Sequence, residues 1–179
     1  MPEKDRPRFA ALYNRSDAGV LTRVPDAQAN AFNTKDWALK PGGFGLTSTL
    51  DDYMKFTQML VNKGSLGKAR ILKTETVQLM STNQLSDTIT KRMWLPSKGR
   101  VGFGIDFAVR TQPPATKDEN NGVVGEFFWD GAASTVFWVD PANELTAVLF
   151  TQLVPFDKVK LHKSFRDAIY GEYQPAAGK

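Results

Sequence analysis

The stretch AASTVFWVDPANELTAVLFTQL, Ala132–Leu153, decides the fold. Its centre, Asp140-Pro141-Ala142-Asn143-Glu144, reads as a turn: Pro141 presets φ for the first corner and Asn143 tolerates positive φ. Strand-length runs lie on either side, at about 132–140 and 145–153, so the pair forms a hairpin and is antiparallel. The second run is apolar at nearly every position, which predicts cover on both its faces. Upstream, Phe103, Ile105, Phe107 and Val109 alternate with Gly102, Gly104, Asp106 and Ala108, predicting a further strand with one buried face. A polar loop, Thr111 to Gly122, separates it from the aromatic run that begins at Phe127.

Helices flank this strand region. Thr49 is placed to cap a helix, Asp51 and Asp52 suit its positive N-terminal end, and Gly64 is placed to close it. Tyr53, Phe56, Met59 and Leu60 recur at helical spacing and predict its buried face. A short helix is expected from Thr74, with Val77 and Met80 inward. A last helix starts near Asp157 and stops at Gly171, with Leu161, Phe165, Ala168 and Ile169 as its apolar stripe. Residues 1–45, broken by Pro2, Pro7, Pro25 and Pro41, read as an irregular extended segment. The reading is therefore α+β: an antiparallel sheet (101–153) with helices packed on it, a helical part at 46–82 and a C-terminal helix at 157–171.

At 179 residues the chain suits one domain (1–179), able to bury roughly 70% of its unfolded surface. Hydrophobic residues make up 41% and charged residues 23%, which fits a globular chain and argues against disorder. The net charge of +4 comes from scattered residues and gives no nucleic-acid footprint. Lys91, Arg92, Lys98 and Arg100 cluster, and read as a solvated loop. The absence of cysteine excludes disulfides, thiolate metal sites and cysteine nucleophiles. A single histidine, His162, excludes an intramolecular histidine zinc cluster, and no apolar run approaches the ~20 residues that span a bilayer. No cofactor is expected.

Each candidate for chemistry has a plainer alternative. His162 lies off the apolar stripe and is expected on the solvent face of its helix. Ser65-Leu66-Gly67-Lys68 matches S-x-x-K, in which a lysine one helical turn after a serine takes its proton. It follows the helix terminator Gly64 and contains Gly67, so it belongs in a turn, where the two side chains do not meet. Asp51 and Asp52 serve the helix dipole and Asp106 points outward from its strand, so no glycosidase-like carboxylate pair is supported. In Phe127-Phe128-Trp129-Asp130-Gly131-Ala132-Ala133-Ser134-Thr135, adding Phe137, four aromatics fall within eleven positions and are broken by Gly-Ala-Ala. Small residues there permit close approach of a ligand or a neighbouring strand. A core strand with a tight bulge explains the composition equally well.

Those residues carry a resemblance. Gly42-Gly43-Phe44-Gly45-Leu46-Thr47-Ser48-Thr49, the helix with Asp52-Tyr53 and Gln58-Met59-Leu60, and Leu72 to Val77 with Met80 resemble the serine β-lactamase/penicillin-binding-protein superfamily. The likeness is to its class C-like branch and the related family VIII-type esterases. Gly125-Glu126 through Ala133, Phe137-Trp138-Val139-Asp140-Pro141 and Phe150-Thr151-Gln152 continue the match in order, and Pro2-Glu3-Lys4 with Arg8-Phe9-Ala10 extends it to the start. The resemblance implies the C-terminal part of a β-lactamase/transpeptidase-like fold, with acyl-ester hydrolysis through a serine ester. It implies that Trp129-Asp130-Gly131 is the third motif, K-T-G in β-lactamases and often W-x-G or H-x-G in the esterases. Trp129 would line the acyl pocket, and the Ala132 N–H would be half of an oxyanion hole. With no lysine at position 129, the charge that would pair with a lactam carboxylate is missing, which favours an uncharged ester.

The family's S-x-x-K and Y-x-N motifs find no counterpart, since Tyr13-Asn14-Arg15 has the wrong spacing and Ser65 is misplaced. The expectation is thus a C-terminal portion of a family member, an incomplete domain inactive on its own, with a small ester or β-lactam-like substrate in the parent protein. Two alternatives stand beside it: a half that associates with itself or with a chain supplying the nucleophile through an exposed sheet edge, and a non-enzymatic ligand-binding α+β domain. The resemblance favours a periplasmic or secreted setting.

Overall fold

The computed structural model describes residues 2–39, 42–43 and 45–174, so Pro41 and Phe44 lie outside the described residues. In chain order the elements are β1 (Tyr13–Arg15), β2 (Leu21–Arg23), the one-turn helices α1 (Asp26–Ala29) and α2 (Ala31–Thr34), α3 (Leu50–Val61), β3 (Ser65–Leu66), β4 (Ala69–Arg70) and α4 (Thr74–Met80). There follow β5 (Val101–Phe103), β6 (Ala108–Arg110), β7 (Phe127–Asp130), β8 (Val136–Asp140), β9 (Leu145–Leu149), β10 (Leu153–Val154) and α5 (Leu161–Tyr170). Strands β5 to β9 form one antiparallel sheet in sequence order, so that among the described residues β9 is an edge that pairs only with β8. The opening segment is less irregular than expected: β1 pairs antiparallel with β2 and parallel with β10.

Helix α3 begins where the sequence puts it. Thr49 Oγ1 accepts the Asp52 N–H at 3.2 Å, and at the other end Gly64, at φ +96°, donates to the Met59 carbonyl at 2.8 Å. A Cβ on Gly64 would sit 2.2 Å from the Leu72 carbonyl oxygen, so both conformation and space demand glycine. Met59 and Leu60 join Val77, Phe107, Val109, Phe127, Phe137 and Val139 in a core on one face of the sheet, with Tyr53 packed against it. On the opposite face Ala108, Phe128, Val136, Trp138 and Ala147 form a second core, covered by Phe165 and Tyr170 of α5.

Four local expectations are corrected. Residues 102–109 are two strands, β5 and β6, turning at Gly104–Phe107, where Gly104 donates to the Phe107 carbonyl at 2.8 Å. Asp106, at φ +72°, is a turn residue and Ile105 is exposed. The apparent alternation arose because Gly102 and Gly104 sit where side chains have no room: a Cβ would lie 2.1 Å from Asn83 Oδ1 and 2.0 Å from the Met80 carbonyl oxygen, respectively. The 132–140 run likewise starts as a strand only at Val136. In the turn after β8, Glu144 and not Asn143 takes positive φ, while Asn143 donates its N–H and its side-chain amide to the buried Asp140 at 3.1 and 2.7 Å.

The fourth concerns α5. It starts at Leu161 and turns His162 and Arg166 inward, leaving Ala168 and Ile169 exposed. The sheet face beneath it carries Glu126 and Asp140, both fully buried, and a helix covering buried carboxylates must present donors to them.

Candidate active site

Trp129, Asp130, Gly131 and Ala132 lie together where β7 passes into the turn leading to β8. Trp129 faces Phe137 and Asp130 faces Val136 across the hairpin. Gly131 and Thr135 close the turn, the Gly131 N–H reaching the Thr135 carbonyl at 3.0 Å and the Ser134 N–H reaching the Gly131 carbonyl at 2.9 Å. A Cβ on Gly131 would lie 2.3 Å from Thr135 Oγ1, so a larger residue would have to turn that hydroxyl aside. Ala132 is exposed at its tip, and the bonds that hold the turn use Gly131, Ala133 and Ser134, leaving the Ala132 N–H uncommitted to them.

The turn is pinned from beneath. The Ala133 carbonyl accepts from the Leu153 N–H at 3.0 Å and from Thr151 Oγ1 at 2.8 Å. Ser134, held at φ +66°, donates its hydroxyl to the Leu153 carbonyl and accepts the Asp157 N–H, both at 2.9 Å. Its carbonyl accepts from His162 Nε2 at 2.9 Å. His162 is therefore buried, not on the solvent face as the sequence implied; it stands edge-on to Phe156 and its own N–H donates to Asp157 Oδ1 at 3.0 Å. Ser134, His162 and Asp157 thus meet, yet the imidazole reaches the serine carbonyl and not its hydroxyl. That arrangement fixes the turn and cannot activate a nucleophile.

Asp130 forms an ion pair with Lys98, both side chains about nine-tenths buried. Lys98 Nζ also lies over the rings of Trp129 and Phe156, at 5.2 and 4.7 Å from their centroids, and Trp129 stands edge-on to Phe103 at 5.3 Å. Lys98 is the member of the basic cluster that the solvated-loop reading misplaces. Nothing in the sequence signals a pairing across 32 positions; its only trace is Pro96, inside the tight 3-10 turn Leu95–Lys98, and Gly99, which ends that turn, whose geometry presents the side chain inward.

The other candidates lie apart from this turn. Ser65 pairs with Arg70 in the small β3–β4 hairpin, whose loop holds Gly67 at φ +56° and Lys68, so serine and lysine do not share a helix turn. Asp52 is held below the usual carboxylate range by hydrogen bonds from Lys55 and then Thr49, as a helix-start residue. Among the described residues no three His, Asp or Glu side chains group as a metal site.

Comparisons with known proteins agree with this architecture. A sequence model of the family described as Beta-lactamase matches residues 1–170. Protein Rv1367c of Mycobacterium tuberculosis is 35% identical over 116 residues, covering 63% of this chain and 29% of that protein. Among solved structures, the LovD6 mutant of simvastatin synthase (LovD) from Aspergillus terreus superposes with a TM-score of 0.75 at 22% identity, over 94% of this chain and 43% of its own. EstCE1, a hydrolase with promiscuous acyltransferase activity, does so with a TM-score of 0.63 at 21% identity, over 93% of this chain and 45% of its own. The chain spans less than half the length of each of these proteins.

Proposed function

We infer, from the premise that this chain belongs to the beta-lactamase family, that it forms the third-motif wall of an acyl-transfer site acting on an uncharged ester. The observation that carries this reading is the Ala132 amide, presented at the tip of a turn that is bound from below through the Ala133 carbonyl and Ser134. A rigid, uncommitted N–H is what a developing oxyanion requires, and one such donor contributes roughly 3–4 kcal/mol to the transition state. Trp129 stands at the position of the family's lysine, and the nearby ammonium of Lys98 is bound to Asp130, which disfavours recognition of a substrate carboxylate.

On this reading the 179 residues lack the attacking group. S-x-x-K occurs once, at Ser65, in a hairpin that cannot bring hydroxyl and amine together. The purified chain is expected to hydrolyse p-nitrophenyl acetate and nitrocefin no faster than buffer. Turnover that persists in Ser65→Ala would overturn the reading, since another nucleophile would have to be present.

A second reading is favoured by the sheet edge. Among the described residues β9 has a strand partner on one side only, and Phe56 and Phe150 lie exposed beside it, with Tyr53 edge-on to the first and tilted against the second. An apolar-flanked free edge recruits a strand, so the chain would act as a half that accepts a strand from a second copy or from a chain carrying the nucleophile. Light scattering tests it: mass rising with concentration supports self-pairing, and a monomer that also fails to bind such a chain removes it.

A further inference from the structure

Beside this site, buried charge concentrates between the sheet and α5. Arg110, Glu126 and Arg166 are each no more than 1% exposed. Arg110 Nε and Arg166 Nη1 both donate to Glu126 Oε1 at 2.8 Å, and Arg166 Nη1 also reaches Oε2 at 3.0 Å and the Asn121 carbonyl at 2.9 Å. Two guanidiniums therefore share one carboxylate, and the trio carries one positive charge in excess. Arg110 Nη1, Arg110 Nη2 and Arg166 Nη2 are buried and meet no acceptor among the described residues. Phe128 and Trp138 offer Arg166 their ring faces, at 4.9 and 4.3 Å, which soften the charge but accept no conventional hydrogen bond. Burial first, and the Arg110 charge after it, push the Arg166 guanidinium below its usual range against the pull of Glu126.

Nearby carboxylates are engaged elsewhere. Asp140 accepts from Tyr170 and Asn143, Asp130 is bound to Lys98, and Glu119 accepts the Ala115 N–H at 3.2 Å. A water could accept from the free N–H groups but would bring no charge, whereas an anion supplies both. Arg166 and Phe128 wall a small, partly open cavity of about 20 Å³, together with Lys98 and His162. That volume suits a particle of water or halide size and is too small for phosphate or acetate. Its two acidic wall residues are Asp130, neutralised by Lys98, and Asp157, drawn to the N-terminus of α5.

We propose that this cavity binds one small monovalent anion of halide size, held by Arg166 Nη2 and drawn in by the excess charge of the Arg110–Glu126–Arg166 cluster. The test is thermal unfolding of the full chain at constant ionic strength, with bromide or chloride exchanged against bulky gluconate. Tm is expected to rise by about 3 °C once halide exceeds its Kd tenfold, and to keep rising with the logarithm of halide concentration beyond that. Arg110→Met is expected to lose that shift and, in gluconate, to melt no lower than the natural chain, because one guanidinium then faces one carboxylate. A crystal soaked in bromide is expected to give an anomalous peak against Arg166 Nη2. A Tm indifferent to halide, an undiminished shift in Arg110→Met, or bromide peaks confined to the surface (an adventitious ion only) would each overturn the proposal. Should Arg110→Met fail to fold, the bromide experiment on the natural chain decides alone.

Discussion

The two faces of the five-stranded sheet are built from the same strands but held by different physics. The face toward α3 is apolar: Phe107, Phe127 and Phe137 meet one another with Met59, Leu60, Val109 and Val139, and Tyr53 stands edge-on to Phe137 at 5.4 Å. The face toward α5 alternates apolar groups with buried charge, in the Arg110–Glu126–Arg166 cluster, the Lys98–Asp130 pair and the chain from Trp138 Nε1 through the Tyr170 hydroxyl to Asp140. The first face gains stability in proportion to the area it removes from water and tolerates imperfect matching. The second is stable only while each charged group keeps its partner, because an orphaned buried charge costs far more than a pair contributes. The turn that presents Ala132 is anchored to this second side, through Ser134 and His162.

If that contrast is right, the largest loss comes from an isosteric change on the charged face. Glu126→Gln keeps the shape but leaves two guanidiniums without a counter-charge, and is expected to cost about 4 kcal/mol in urea unfolding. Phe137→Ala removes far more volume from the apolar face and is expected to cost about 3 kcal/mol, since the surrounding rings relax only in part. A Glu126→Gln loss clearly smaller than that of Phe137→Ala would break the comparison. Lys98→Met comes third, at about 2 kcal/mol, because the pair keeps some contact with solvent. Lys98→Met combined with Asp130→Leu is expected to recover most of that loss, which distinguishes an orphaned carboxylate from lost packing.

The same contrast governs what could be read from the sequence. The α3 face was largely legible because hydrophobic spacing reports it directly: Met59 and Leu60 on the helix and the hairpin around Pro141 lie where periodicity and turn chemistry put them, although Phe56, expected on the buried face, is exposed. The capping of α3 by Thr49 was legible for the same local reason. The α5 face was not, since hydrophobicity places Ala168 and Ile169 inward and His162 outward, and it took Glu126, which draws in Arg166, and the Ser134 carbonyl, which draws in His162, to reverse that choice. The strand assigned to 102–109 failed because two glycines required by close backbone approach look, in a pattern, like the polar half of an alternation. At the candidate site the motif Trp129-Asp130-Gly131 was visible as a cluster of aromatic and small residues. Its support from Lys98, Ser134 and His162 was invisible, being made of contacts across 19 to 32 positions that leave no local signature.

The mildest perturbation sharpens the contrast through pH. Burial, with the nearby Glu126 and Asp140 charges, raises the Tyr170 phenol well above its ordinary value. The folded chain therefore holds a proton that the unfolded chain releases near pH 10, so this group contributes its full stability below that pH. As pH rises above about 10, toward the folded-state value, the contribution is progressively lost. Tyr170→Phe removes the donor to Asp140 Oδ2 and the acceptor for Trp138 Nε1, each at 2.9 Å, and is expected to cost about 1 kcal/mol at pH 7. The variant is also expected to lose stability less steeply than the natural chain above pH 10, so that their melting curves converge there. Parallel decline of the two would assign the alkaline sensitivity to other groups and leave Tyr170 a packing residue, moving the Trp138 end of the α5 face into the same physical class as the face opposite.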